Sequence, residues 1–199
     1  GCDILYAPPL EMMYPADFAT TVRVSGVTEA LEGTYRPGHF EGVATVVTKL
    51  LLQALPEVAF FGEKDYQQLL AVRRMARDLD LPVTVHGCPT IRDIDGLALS
   101  SRNLLLSDRA RTRAPALFTE MERIAEGLRA GGDLETLAEY GRARLETAGF
   151  TWVDYLDLRA QENLAPIERP DRPARLFAAA RLAGVRLIDN IAVNDQIAL

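Results

Sequence analysis

Apolar positions along this chain follow two rhythms, one helical and one extended. Val43, Val46, Val47, Leu50 and Leu51 recur at helical spacing from about Phe40 to Leu55, and Pro56 stops the pattern. Glu57-Val58-Ala59-Phe60-Phe61 is short, apolar and bounded by Pro56 and Gly62. That predicts a strand covered on both faces, as in a parallel sheet. Leu69, Val72, Ala76 and Leu79 return to helical spacing from about Asp65 to Leu79, and Pro82 leads into a further strand, Val83-Thr84-Val85. Strand, helix and strand with short joints make a βαβ unit, expected to be right-handed. Upstream, Cys2 to Tyr6 reads as a buried strand ended by Ala7-Pro8-Pro9. Thr20 to Val24 alternates and reads as a short half-exposed strand, and Thr34 to Gly38 reads as a loop.

The pattern changes after Pro89. Ile91 to Asp95 reads as a strand with a turn at Asp95-Gly96. Ser107 is a good N-cap for a helix whose one face carries Ala110, Ala114, Leu117, Met121, Ile124 and Leu128, although Pro115 interrupts it. Gly131-Gly132 ends that helix, and Asp133 caps another that runs to about Thr147. Trp152 to Leu158, Arg175 to Leu182 and Val185 to Val193 read as antiparallel strands, the last two joined at Gly184. The expected fold is α/β: the C-terminal part of a doubly wound parallel sheet, then a small α+β domain with an antiparallel sheet. The boundary falls between residues 89 and 90. The first strand-like run begins almost at residue 1, and Gly1 is not an initiator Met. The expectation is therefore a fragment of a longer chain.

Composition narrows the function classes. A net charge of −6 repels a phosphate backbone and argues against a nucleic-acid partner. No apolar run approaches the length of a membrane span. Two cysteines, Cys2 and Cys88, are too few for a disulfide scaffold and are not spaced as a metal pair. They read as reduced thiols of a cytoplasmic protein.

Three segments could carry chemistry. Phe60 to Gln68, F-F-G-E-K-D-Y-Q-Q, sits at the carboxyl end of a predicted parallel strand and opens a helix. Open α/β sheets bind ligands at such ends, and the helix N-terminus suits an anion. Lys64 adds a full charge and Gly62 lets a ligand approach the backbone. The plainer reading is a capping box from Asp65 to Gln68 with a solvated lysine. In Gly96 to Asn103, G-L-A-L-S-S-R-N, two hydroxyls and a guanidinium could hold phosphate oxygens, or simply form a polar loop. In Arg36-Pro37-Gly38-His39-Phe40, His39 could meet a reacting group, or merely cap or pack. His86 reads as structural.

Together these segments resemble one family. R-P-G-H-F-E-G-V at Arg36 to Val43, the Phe60 and Gly96 segments, V-D-Y-L-D-L-R at Val153 to Arg159, and R-L-I-D-N-I at Arg186 to Ile191 are similar to pantothenate synthetases, in the same order. The likeness covers essentially the whole chain. It implies a Rossmann-like nucleotidyltransferase fold and an ATP-dependent ligase that joins pantoate to β-alanine through a pantoyl-adenylate, with Mg2+ and release of AMP and pyrophosphate. Gly62, Glu63, Lys64, Asp65, Ile91, Leu99, Ser100, Ser101 and Arg102 would then bind ATP. Of these, Ile91 would meet the adenine through its backbone, and Leu99 to Arg102 would form a mobile phosphate loop. Gln68 would hold pantoate. Lys64 and Arg102 would supply catalytic charge, and Arg36 and His39 are further candidates. No residue is assigned as a metal ligand. Residues 1–89 would belong to the nucleotide- and pantoate-binding domain and 90–199 to a lid. The family resemblance also suggests a cytoplasmic homodimer. The family's His-x-Gly-His signature and its catalytic histidine match neither His39 nor His86, so the chain alone is expected not to complete the reaction. Two alternatives remain: a non-catalytic nucleotide-binding fragment, and another adenylyltransferase of the same superfamily.

Overall fold

Strand β1 (Val58–Gly62), helix α4 (Tyr66–Asp78) and strand β2 (Thr84–Cys88) form the expected βαβ unit, with the two strands paired in parallel. The helix buries Leu69, Val72 and Ala76, as their spacing requires, and Met75 with them. Leu79 lies beyond the last helical residue and is exposed. Before this unit come two single-turn helices, α1 (Leu10–Met13) and α2 (Glu32–Tyr35), and the longer α3 (His39–Ala54). The computed structural model describes residues 1–194. It divides into two compact units: Gly1–Ala59 with Ala71–His86, and Phe60–Leu70 with the chain from Gly87 onward.

Three strand expectations in this half need correction. Cys2 to Tyr6 is not a buried strand: Ile4 is 83% and Leu5 86% exposed. Thr20 to Val24 keeps its half-exposed alternation but forms no ladder; its Val22 N–H donates instead to Thr45 Oγ1 of α3 at 3.0 Å. Both runs have strand-like composition and no strand beside them among the described residues, and an extended segment without a partner satisfies nothing by its periodicity. β1 is a strand but is not covered on both faces. It alternates between exposed and half-buried, and Phe60 is 70% exposed. A parallel strand is buried on both sides only inside a wider, doubly covered sheet, and this sheet has two strands among the described residues.

The second unit follows the sequence pattern closely. The apolar stripe from Ala110 to Leu128 is buried throughout, but it is carried by two helices, α5 (Asp108–Arg111) and α6 (Ala116–Arg129), with Ala114 in the turn between them. Pro115 immediately precedes α6. It has no N–H to give and its ring would clash with the preceding turn, so the helix stops and restarts around it. Helix α7 (Leu134–Thr147) begins at Asp133, whose carboxylate accepts from Thr136 N–H at 2.8 Å. Ile91 to Asp95 is not a strand but one side of a small hairpin with a single bridge, Arg92 to Ala98. Asp93 and Asp95 accept local backbone N–H groups there, which competes with ladder pairing.

Strands β3 (Phe150–Ala160), β4 (Ala174–Leu182) and β5 (Val185–Asn194) form an antiparallel sheet with β4 in the centre. Ala183 and Gly184 both take positive φ, as a two-residue hairpin requires, and set the register Leu182 to Val185. The period of two then sorts β4 by face. Ala174, Leu176, Ala178, Ala180 and Leu182 join Met121, Ile124 and Leu145 of α6 and α7 in the main core. Arg175 and Phe177 project to the opposite face, where both meet Tyr66. That second face positions the candidate site.

Candidate functional site

At the end of β1 the chain turns through Gly62 into a single 3-10 turn, Glu63–Asp65, and from there directly into α4. Lys64 is not a solvated surface lysine, since its side chain is only 16% exposed. Its Nζ lies 4.0 Å from Asp65 Oδ2. The Glu63 carboxylate accepts from Arg175 at 2.9 Å. The Asn190 carboxamide donates to both the Glu63 and the Lys64 carbonyl oxygens, each at 2.9 Å. Arg175 also donates to the Asn190 side-chain oxygen and stacks over the Tyr66 ring at 4.2 Å. These bonds fix the backbone that carries Lys64 at its carbonyls, its neighbouring carboxylate and its neighbouring ring.

The second part of the site is the hairpin and the turn that follows it. Ile91 and Leu99 face each other at the hairpin base, where Leu99 N–H donates to Ile91 O at 2.9 Å. At the tip, Gly96 has φ +91, and a Cβ there would lie 2.5 Å from the Phe118 ring, so only glycine fits. Arg92 stacks on that same ring at 3.8 Å. Ser100 is extended and caps a 3-10 turn, Ser101–Leu105, by accepting from Arg102 N–H at 3.3 Å. The Arg102 guanidinium donates to Arg186 O of β5 at 3.1 Å.

Lys64, Ser100 and Arg102, separate in sequence, line one small cavity of about 20 Å³, with β5 residues Arg186 to Asp189 on another side. That is room for about one water. Gln68, Ile91, Leu99 and Ser101 do not line it. Gln68 stands one helical turn after Lys64, half-buried, and Ile91 and Leu99 are exposed. Arg36 and His39 belong to the first unit, where Arg36 Nη1 lies 3.0 Å from His39 Nε2 and 3.6 Å from Glu32.

Around the cavity, Arg92 pairs with Asp189, Arg186 with Asp154 and Arg175 with Glu63. Among the described residues Arg102 is held by a neutral carbonyl, whereas the other three arginines pair with carboxylates, so there its charge is the least compensated of the four and suited to meet an anion. Residue patterns alone missed Arg175, Asn190, Arg92 and Asp189. A signal for them existed: Arg175 opens the otherwise apolar Leu-Phe-Ala-Ala-Ala run, and Asp189-Asn190 interrupts Leu187-Ile188 and Ile191. Polar groups buried in strands must find partners, and such interruptions mark where.

Comparison with known proteins identifies the family. The profile of the family described as pantoate-beta-alanine ligase matches residues 1–192. The pantothenate synthetase of Paramagnetospirillum magneticum is 57% identical over 194 residues, which are 98% of this chain and 68% of that protein. The crystal structure of pantothenate synthetase from Thermus thermophilus superposes with a TM-score of 0.90 at 48% identity, covering 97% of this chain and 70% of that one. A pantoate-beta-alanine ligase from Francisella tularensis, crystallised with beta-gamma ATP and beta-alanine, is 30% identical with a TM-score of 0.67 over 92% of this chain and 62% of that one. The chain belongs to the pantoate-beta-alanine ligase family, the enzymes that join pantoate to β-alanine in pantothenate biosynthesis.

Proposed function

We propose that Lys64, Ser100 and Arg102, the polar groups that meet around this small cavity, bind the phosphates of ATP and that ligation proceeds through a pantoyl-adenylate. The observation that carries this reading is the meeting of one ammonium, one guanidinium and one hydroxyl at the carboxyl end of a parallel strand. The ATP-complexed Francisella relative supports it. A carboxylate oxygen of pantoate attacks the α-phosphorus and pyrophosphate leaves. The amine of β-alanine then attacks the acyl carbon and AMP leaves. Charge grows on the phosphate oxygens in the first step, so the contribution of Lys64 and Arg102 is electrostatic. Gly62, Glu63 and Asp65 shape the turn beneath the nucleotide. Leu99 to Arg102 close over the phosphates, Ile91 presents its backbone to the base, and Gln68, on the same helical face as Lys64, holds pantoate. Arg36 and His39 remain candidates for contact with the reactants. Residues 1–89 belong to the binding domain and 90–199 to a lid in this reading.

The donor set fits a magnesium ion that rides on the nucleotide. Among the described residues no group of three His, Cys, Asp or Glu side chains could hold a metal by itself. Mg2+ is commonly bound through one or two carboxylates with substrate phosphates, and Asp65 is the carboxylate at hand. When bound, the ion would add positive charge to those phosphates. The family resemblance also supports a cytoplasmic homodimer, which sedimentation equilibrium would test.

Titration calorimetry with ATP, run beside pantoate-dependent exchange of labelled pyrophosphate into ATP, tests the reading. ATP binding that Arg102→Ala weakens is the expected result. Binding indifferent to that change would end the assignment.

A further inference from the structure

Lys64 sits between two acids, Glu63 and Asp65, in a turn proposed above to meet a polyphosphate. Left alone, Glu-Lys-Asp carries a net charge of −1 and would repel that ligand. The structure resolves the conflict from the sheet face that the turn packs against. Arg175 of β4 donates to the Glu63 carboxylate at 2.9 Å, with the two side chains 10% and 27% exposed. With Arg175 counted, the turn is neutral and the Lys64 ammonium is no longer outweighed. The Glu63 side chain also lies over Gly87, where a Cβ would come within 3.1 Å of its Oε1.

The neighbouring strand fixes the backbone. Asn190 Nδ2 donates one hydrogen to the Glu63 carbonyl and the other to the Lys64 carbonyl. Its oxygen accepts from Arg175, so the amide has no freedom to flip. Phe177 and Asn190 are paired across β4 and β5, which places this amide beside Arg175 on the same sheet face. An asparagine is suited to the task because one planar group both donates twice and accepts. Aspartate could only accept, and would face two carbonyl oxygens.

We propose that Arg175 and Asn190 are positioning residues for ATP binding: Arg175 neutralises Glu63, and Asn190 fixes the turn so that the Lys64 ammonium meets the phosphates. Neither touches the nucleotide. Both act through the Glu63–Asp65 turn, and the inference rests on Lys64 being an ATP-binding group.

The test compares ATP affinity by calorimetry, well below each protein's melting temperature, for full-length wild type, Arg175→Met, Arg175→Met/Glu63→Gln, Asn190→Ala and Lys64→Ala. Arg175→Met should raise the ATP dissociation constant about tenfold, because an uncompensated carboxylate then lies beside the phosphates. The deficit should shrink as salt rises. The double variant should recover most of the affinity, since the offending charge is gone. Asn190→Ala should also weaken ATP about tenfold, the loss of about two ordinary hydrogen bonds at the turn. Its deficit should not depend on salt. A purely structural role would lower the melting temperature of the folded variants and leave their ATP affinity within twofold of wild type. That result, with Lys64→Ala clearly weakened, overturns the inference alone. Unchanged affinity in Lys64→Ala overturns the ATP-site reading and this inference with it. If Arg175→Met does not fold, the double variant and Asn190→Ala decide by the same criteria.

Discussion

Arg92 and Asp189, 97 residues apart, form a forked ion pair with Nη1 to Oδ2 at 2.6 Å and Nη2 to Oδ1 at 2.9 Å. Arg92 lies at the base of the hairpin and Asp189 in the middle of β5. The pair pins the start of the Gly96 to Asn103 segment to the antiparallel sheet. The same guanidinium stacks on Phe118 and donates to Gly96 O, so one side chain fixes the hairpin, α6 and β5 together. Asp189 is 5% exposed and also accepts Asn190 N–H.

Arg92→Met should therefore destabilise the protein by about 3–5 kcal/mol, because it strands a buried carboxylate rather than merely removing an attraction. Arg92→Met/Asp189→Leu should regain much of that loss. Urea denaturation of the three proteins checks this. An Arg92→Met variant as stable as wild type would mean that the pair is solvated in solution.

Gly87→Ala should destabilise by about 1–3 kcal/mol, the usual cost of overpacking. A Cβ there would lie 2.8 Å from Leu69 Cδ2, a side chain with no exposed surface, and 3.1 Å from Glu63 Oε1. Leu69 has nowhere to move, so the strain should fall on the Glu63 turn. The variant should lose both melting temperature and ATP affinity. A loss of the first without the second would mean that β2 yields instead.

Lys64→Ala should weaken ATP binding by about 1.5–3 kcal/mol, the range for hydrogen bonds to charged groups. This prediction depends on the side chain being largely enclosed, since a solvated lysine would contribute far less. Calorimetric titration with ATP provides the measurement.

Hydrogen bonds from Arg111 hold the Asp95 carboxyl below its ordinary value of 3.8. The folded value is depressed, so this contribution is complete above about pH 4 and is lost as pH falls through the lowered folded value. Arg111 also pairs with Asp93 at 2.7 Å. Arg111→Met should move the Asp95 titration, followed by carboxyl NMR shifts, upward toward 3.8. An unmoved titration would place the cause in the local backbone bonds instead.

The core of the second unit was legible residue by residue. Ala110, Ala114, Leu117, Met121, Ile124 and Leu128 are all buried as their spacing demands, because helix periodicity and burial have one cause: a single face turned to the sheet. Pro115 was legible as a disturbance, and the break it causes follows from its missing N–H. The strands at Cys2 to Tyr6 and Thr20 to Val24 were misread because strand propensity is local while strand pairing is not. The candidate site divides in the same way. Lys64 and Arg102 stood out because each lies in a short segment with chemistry of its own. Arg175 and Asn190 did not, because their partners are 112 and 127 residues away in sequence.

Sequence by itself determined the order of the longer helices and of the strands from Val58 to Cys88 and from Phe150 to Asn194, the main apolar stripes, the family and the segments able to meet an anion. All of these follow from contacts within a few residues or from motif order. Only the tertiary structure decided that Lys64, Ser100 and Arg102 share a cavity, that β4 turns its arginine toward Glu63, and that Asn190 reaches two carbonyls of one turn. Those depend on sheet register. A slip of one residue would send every side chain of a strand to the other face, and no local pattern around Lys64 encodes which face Arg175 takes.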